Sequence, residues 1–272
     1  MCTDGKSLDL DARSGEELAA MCQAIDDAQQ KIEALGLTDH TDNRNRAAER
    51  YDLRTISLAT LAGLIEHTRL SADDEEPPPR SDIAKLCAQA QQYGFYGACV
   101  NRPHVQYARS QLASTRCKVV TVIDFPRGDA PTEVKIRQVH ESQEADELDM
   151  VMAVLALKRG WYREVYQDIR GVVEAAGGRA VKVILETGKL TPQEIVMACL
   201  LSKQAGARFV KTSTGKGPRG ASLQDIHIMS QCVGAYLGIK AAGGISTYSF
   251  ARDLVLAGAT RIGSSKSVDW VK

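Results

Sequence analysis

Three charged residues stand where the chain otherwise asks for apolar ones. Lys211 lies in Phe209-Val210-Lys211-Thr212-Ser213-Thr214-Gly215, Lys240 in Gly238-Ile239-Lys240-Ala241-Ala242, and Asp149 in Glu147-Leu148-Asp149-Met150-Val151. Each run is rich in apolar and β-branched residues and reads as a short buried strand. Strand side chains alternate faces. Lys211 therefore shares a face with Phe209 and Ser213, Lys240 with Gly238 and Ala242, and Asp149 with Glu147 and Val151. The run Lys182-Val183-Ile184-Leu185-Glu186 puts Lys182 and Glu186 on one face as well. A lone lysine here reads most simply as a side chain snorkelling to water. Lys182 or Glu186 alone reads as half of a structural ion pair. Lys211, Lys240 and Asp149 together point to chemistry. Desolvation and a neighbouring like charge both lower a lysine pKa. A lysine that is partly neutral adds to a carbonyl carbon and forms a Schiff base. A carboxylate beside it handles the protons at the carbinolamine and the imine.

A second group of residues suits an anion. Ala242-Gly243-Gly244-Ile245-Ser246 follows the Lys240 run, and Gly263-Ser264-Ser265-Lys266 follows the next apolar segment. Glycines let backbone N–H groups approach a phosphate, and serine hydroxyls add donors. Gly215 and Lys216, just past Lys211, add a cation. A single Gly-Gly is more often a plain turn; the two loops together are a more specific signal.

The elements that must position these groups alternate regularly. Expected strands cover 64–68, 97–101, 118–125, 147–153, 180–187, 208–214, 237–242 and 260–264. Helical periodicity fills 82–93, 105–112, 131–144, 161–176, 192–205, 222–235 and 248–257. Pro131 and Pro192 suit helix first turns, the latter behind the N-cap candidate Thr191. Gly94, Gly177 and Gly206 stand where helices should stop. Eight strands alternating with helices fit a (β/α)8 barrel, typically about 250 residues. In such a barrel, phosphate sites often sit in the loops after strands seven and eight. A doubly wound sheet would want a glycine-rich loop after its first strand. Here that place holds the acidic, proline-rich Ser71-Ala72-Asp73-Asp74-Glu75-Glu76-Pro77-Pro78-Pro79. The last strand falls so near residue 272 that the eighth helix is expected to be short or absent. Residues 1–56 read as an N-terminal helical extension and 57–272 as the barrel. Ser14 and Glu17 form a capping-box pattern, and a stripe from Leu18 to Leu35 ends at Gly36. That stripe needs a surface, either the barrel, where the gap left by the eighth helix is one candidate, or a partner subunit.

Bulk properties narrow the partners. The 272 residues are 44% hydrophobic and 25% charged, with formal net charge zero. That balance gives no electrostatic case for nucleic acid or an anionic membrane. No run reaches the roughly 18 apolar residues of a membrane helix. The polar, acidic start is unlike a secretory signal. Seven scattered cysteines, with no paired spacing and no Cys/His cluster, read as reduced thiols of a cytoplasmic protein and no zinc site.

Across residues 60–266 the chain resembles the deoxyribose-phosphate aldolases. The resembling stretches are Ile65-Glu66-His67-Thr68, Ala98-Cys99-Val100-Asn101, Glu147 to Val151, Lys182 to Gly188, Phe209 to Gly215, Gly238 to Gly244 and Arg261 to Ser265. The resemblance implies reversible cleavage of 2-deoxy-D-ribose 5-phosphate to D-glyceraldehyde 3-phosphate and acetaldehyde. It implies a Schiff base on Lys211, perturbation and proton relay by Lys240, and acid/base work by Asp149. It also implies phosphate contacts from Gly215, Lys216, Gly243, Gly244, Gly263 and Ser265, no metal or other cofactor, and a dimer or tetramer. Departures from the family pattern stand at Asp124, at Glu66 where many members have Asp, at Lys266, and at Met152-Ala153-Val154. Asp124 could pair with Lys211 and hold it charged, or with Arg127 and do nothing. The alternatives are therefore an aldolase of altered acceptor specificity, or a weakened or non-catalytic barrel that binds a sugar phosphate or a protein partner.

Overall fold

The computed structural model describes residues 15–37, 56–72 and 76–271. Helix α1 (Gly15–Ala34) comes first, and α2 (Leu58–Ala62) leads into strand β1 (Ile65–Arg69). Then follow α3 (Arg80–Gln92), β2 (Gly97–Val100), α4 (Val105–Leu112), β3 (Lys118–Ile123), α5 (Thr132–Glu141) and β4 (Glu147–Val151). The second half runs α6 (Val154–Lys158), α7 (Tyr162–Ala175), β5 (Ala180–Ile184), α8 (Pro192–Gln204), β6 (Phe209–Lys211) and α9 (Leu223–Val233). It closes with β7 (Gly238–Ala242), α10 (Tyr248–Leu256), β8 (Arg261–Ser264) and α11 (Val268–Val271). The eight strands form a closed barrel in sequence order, every pairing parallel, as the alternation predicts. Parallel neighbours need a long crossover, which the helices supply. Among the described residues no helix is long and apolar enough to cross a membrane.

Local signals set the helix ends. Thr191 caps α8 in a capping box with Glu194, and Pro192 opens its first turn. Pro131 sits one position outside the expected place, as the N-cap of α5. The Ser14 capping box and the polar stretch 38–50 lie outside the described residues.

Apolar packing divides in two. The larger core lies between strands and helices. A small cluster, Cys99, Val120, Val122, Phe125, Val151 and Ile184, is separate from it and sits on the strand faces that carry the inward charges. A barrel interior is ordinarily filled by layers of branched apolar residues, so this one is apolar on one side only.

Helix α8 explains where α1 goes. Its residues from Ile195 to Ser202 are all buried. A helix apolar all round needs cover on both sides. Helix α1 packs on its outer face, burying Ala28 and Ile32, and Arg163 Nη2 donates to the Leu35 carbonyl at 2.6 Å. The N-terminal helix thus does not fill the gap of the eighth helix, which the four-residue α11 occupies.

Four strands stop two or three residues short of the expected ends: β3 at Ile123, β4 at Val151, β5 at Ile184 and β6 at Lys211. Asp124 (φ 52°) and Glu186 (φ 57°) then adopt left-handed backbone. The face alternation that placed Glu186 with Lys182 therefore ends before reaching it.

Candidate active site

The barrel brings the charged strand residues into one buried network. In the parallel register Asp149 pairs with Lys182 and Lys211 with Lys240. Asp149 is fully buried at the centre. Its Oδ2 accepts from Lys211 Nζ at 2.7 Å and from Lys240 Nζ at 2.6 Å. Its Oδ1 accepts from Lys182 Nζ at 2.9 Å. Glu66 takes Lys240 on Oε2 and, on Oε1, Lys182 at 3.3 Å and Arg261 at 2.9 Å. Glu147 pairs with Lys182 at 2.8 Å and Arg261 at 3.4 Å, and accepts from the Tyr96 hydroxyl. Arg261 lies over the Tyr96 ring, 3.3 Å from its centre. Gly263 leaves room for the Lys240 stem: a Cβ there would lie 3.0 Å from Lys240 Cε.

Four cations thus face three carboxylates. Full protonation leaves one uncompensated buried charge, which is costly in a low-dielectric interior. Lys211 relieves it. Burial lowers its pKa below the ordinary lysine value; Asp149 opposes, and Lys240 adds to the lowering. Lys240 goes the other way, because Asp149 and Glu66 outweigh its burial. Lys182 is raised too: burial opposes its charge, but Asp149, Glu66 and Glu147 outweigh it. Burial would raise Asp149, but its three lysines hold it well below the carboxylate range. Glu66 resists burial likewise and is lowered to about 2 by Lys182 and Lys240. Lys211 is therefore the network's one lysine biased toward the neutral form.

Lys211 also opens to the mouth. It lies in the wall of a cleft of about 550 Å³ at the C-terminal strand ends, a volume ordinary for a small-molecule site. Gly215, Lys216, Gly243, Gly244, Gly263, Ser264, Ser265 and Lys266, the expected anion residues, line the same cleft. Gly243 (φ 88°) has its Cβ direction closed by Gly220 Cα at 3.0 Å, so only glycine fits this turn. The Ser264 hydroxyl donates to Ile245 O at 2.8 Å and accepts from Lys266 N at 3.0 Å, tying the two loops together.

Asp124 takes neither expected partner. Its carboxylate accepts from Ala130 N at 2.8 Å and lies 3.7 Å from Lys135 Nζ. Lys135 is fully buried and also donates to Asp168, Gly128 O and Val151 O. Sequence reasoning missed Arg261 and Tyr96. The alternation in 260–264 places Arg261 on the face of Gly263 and could have found it.

Glu66, Cys99 and Asp149 could gather a metal ion, their ligand atoms lying within 4.8 Å of one another. Both carboxylates are already occupied by Lys182, Lys211, Lys240 and Arg261. A divalent cation would add charge where cations already exceed anions, so these residues do not fit one.

Fold and site together define a class: a (β/α)8 barrel whose ionisable groups and anion loops meet at the end where barrel enzymes carry their chemistry. The chain belongs to the DeoC/LacD family aldolases, whose family model matches residues 61–265. It is 48% identical over 214 residues to the deoxyribose-phosphate aldolase of Thermococcus gammatolerans, covering 76% of this chain and 93% of that one. It is 46% identical to that of Thermotoga petrophila, covering 84% and 92%. Among solved structures, the tetrameric deoxyribose phosphate aldolase of Aeropyrum pernix superimposes with TM-score 0.73 at 31% identity, covering 79% and 91%.

Proposed function

We propose that the chain reversibly cleaves 2-deoxy-D-ribose 5-phosphate to D-glyceraldehyde 3-phosphate and acetaldehyde through a Schiff base on Lys211. The carrying observation is that Lys211, lowered in pKa by burial, opens to the cleft while sharing Asp149 Oδ2 with Lys240. The names of the relatives support this substrate.

Neutral Lys211 Nζ attacks the aldehyde carbon C1 and gives a carbinolamine. Asp149, with Lys240 on the same oxygen, carries a proton to the departing hydroxyl, and water leaves the iminium. The C3 hydroxyl passes its proton to Asp149, which returns it later at C2; the C2–C3 bond breaks, and its electron pair moves into the iminium to form an enamine. C3 leaves as the aldehyde of glyceraldehyde 3-phosphate. Protonation at C2 and hydrolysis release acetaldehyde and restore Lys211. The iminium is the electron sink, so no cofactor enters the scheme. Gly215, Lys216, Gly243, Gly244, Gly263, Ser264 and Ser265 hold the phosphate and orient C1 toward Lys211. Lys182 and Glu66 keep the network charged and fixed. Asp124, which faces Lys135, leaves Lys211 unsuppressed.

The protein acts in this reading as a cytoplasmic homo-oligomer, a dimer or tetramer, without nucleic-acid or membrane partners. Incubation with deoxyribose 5-phosphate tests it: equal release of acetaldehyde and glyceraldehyde 3-phosphate is expected. Phosphate-ligand binding without release would overturn it in favour of the non-catalytic alternative.

A further inference from the structure

Glu186 is a buried carboxylate that the lysine network does not use. It lies two residues beyond β5 with φ 57°, a region where non-glycine residues are uncommon, and is 1% exposed. Its side chain turns to the loop between β6 and α9. Oε2 accepts from the Thr214 hydroxyl at 2.5 Å, and Oε1 from the Thr214 N–H at 3.3 Å. A hydroxyl has one proton to give. Thr214 gives it to Glu186, and its oxygen accepts from Lys216 N–H at 3.0 Å. A Cβ on Gly217 would lie 2.7 Å from Glu186 Oε1, so the loop closes around the carboxylate. Thr214, Gly215 and Lys216 line the cleft, whereas Glu186 does not.

We propose that Glu186 is a positioning residue for the phosphate end of the substrate. It fixes Thr214 and, through that hydroxyl, the Lys216 backbone, so the Gly215-Lys216 turn is formed before an anion arrives. A loop ordered in advance loses less entropy on binding. Both carboxylate oxygens act as acceptors, which a neutral amide cannot reproduce. The unusual backbone at 186 aims the side chain at this loop, a strain of the kind held where function needs it. The inference rests on the proposed sugar-phosphate substrate.

The test compares deoxyribose 5-phosphate with unphosphorylated 2-deoxyribose in the wild type, Glu186→Gln, Thr214→Val and the double variant. For Glu186→Gln, kcat/KM on the phosphorylated sugar should fall roughly 10-fold or more, mainly through KM. On the unphosphorylated sugar it should stay within about twofold. The double variant should be no worse than the poorer single one, because both break one chain of contacts. Equal losses on both sugars, no loss on either, or fully additive effects would overturn the proposal. Should Glu186→Gln fail to fold, Glu186→Asp, whose stem is one methylene shorter and withdraws the carboxylate from Thr214, takes its place with the same expected outcomes. Calorimetry with inorganic phosphate separates this inference from the proposed function. Weaker phosphate binding in the variant supports positioning even if the wild type cleaves neither sugar, and unchanged binding overturns it.

Discussion

Lys211 and Lys240 donate to the same oxygen, Asp149 Oδ2, at 2.7 and 2.6 Å. Two ammonium groups on one oxygen repel strongly in a buried site, and the arrangement is eased when one is neutral. Glu66 also pairs with Lys240, so Lys240 keeps its proton and Lys211 is the one to give it up.

Lys240→Met removes the like charge and keeps the packing of the stem. With Lys240 gone, Asp149 Oδ2 serves Lys211 alone while Lys182 stays on Oδ1, and the undivided contact holds Lys211 charged, so the Lys211 pKa rises. We expect kcat/KM at neutral pH to fall at least ~10-fold, the worth of one pKa unit, with the acid limb of the pH–rate profile displaced upward. An acid limb unchanged or displaced downward would contradict the assignment of roles.

Glu66 contributes a pH-dependent share of stability. Its pKa falls from 4.5 to about 2 on folding, burial opposing and Lys182 and Lys240 prevailing. A depressed folded-state pKa stabilises above the unfolded value, and that contribution is lost as pH falls through the folded one. The shift corresponds to about 3 kcal/mol. Glu66→Gln should therefore lower Tm at pH 7 by on the order of 10 °C. The gap to the wild type should close as pH falls from about 4.5 toward about 2. Thermal unfolding at pH 7 and pH 3 checks this; equal gaps would refute it.

Asp124→Asn tests the carboxylate that follows β3. The side chain holds Ala130 N and faces Lys135, not Lys211. We expect a loss of about 1–3 kcal/mol in stability from the weakened buried contacts, with kcat not raised. Urea unfolding together with steady-state kinetics gives both numbers. A clear rise in kcat would show that Asp124 does restrain the nucleophile.

The barrel and the inward placement of the lysines proposed as catalytic were legible in the sequence because both depend on local period. Strand side chains alternate, so Asp149, Lys211 and Lys240 could be assigned one face from their neighbours alone. The same rule misplaced Glu186, because β5 ends at Ile184 and the chain turns left-handed. Nothing in a Leu-Glu-Thr run marks that turn, since glycine is the residue that usually signals it. Asp124 went astray for the same reason, one residue past β3. The stripe of α1 showed that a surface was needed but not which one; the answer depends on α8 being apolar on both faces, a tertiary fact.

Lys211 acting as the nucleophile is open to direct chemical trapping. Protein mixed with deoxyribose 5-phosphate and reduced with borohydride, then digested and weighed by peptide mass, reads it directly. An ethyl or reduced pentose-phosphate group is expected on the peptide holding Lys211, and none on Lys240 or Lys182. An adduct on either of those lysines, or turnover of the sugar with Lys211 left unmodified, would contradict it.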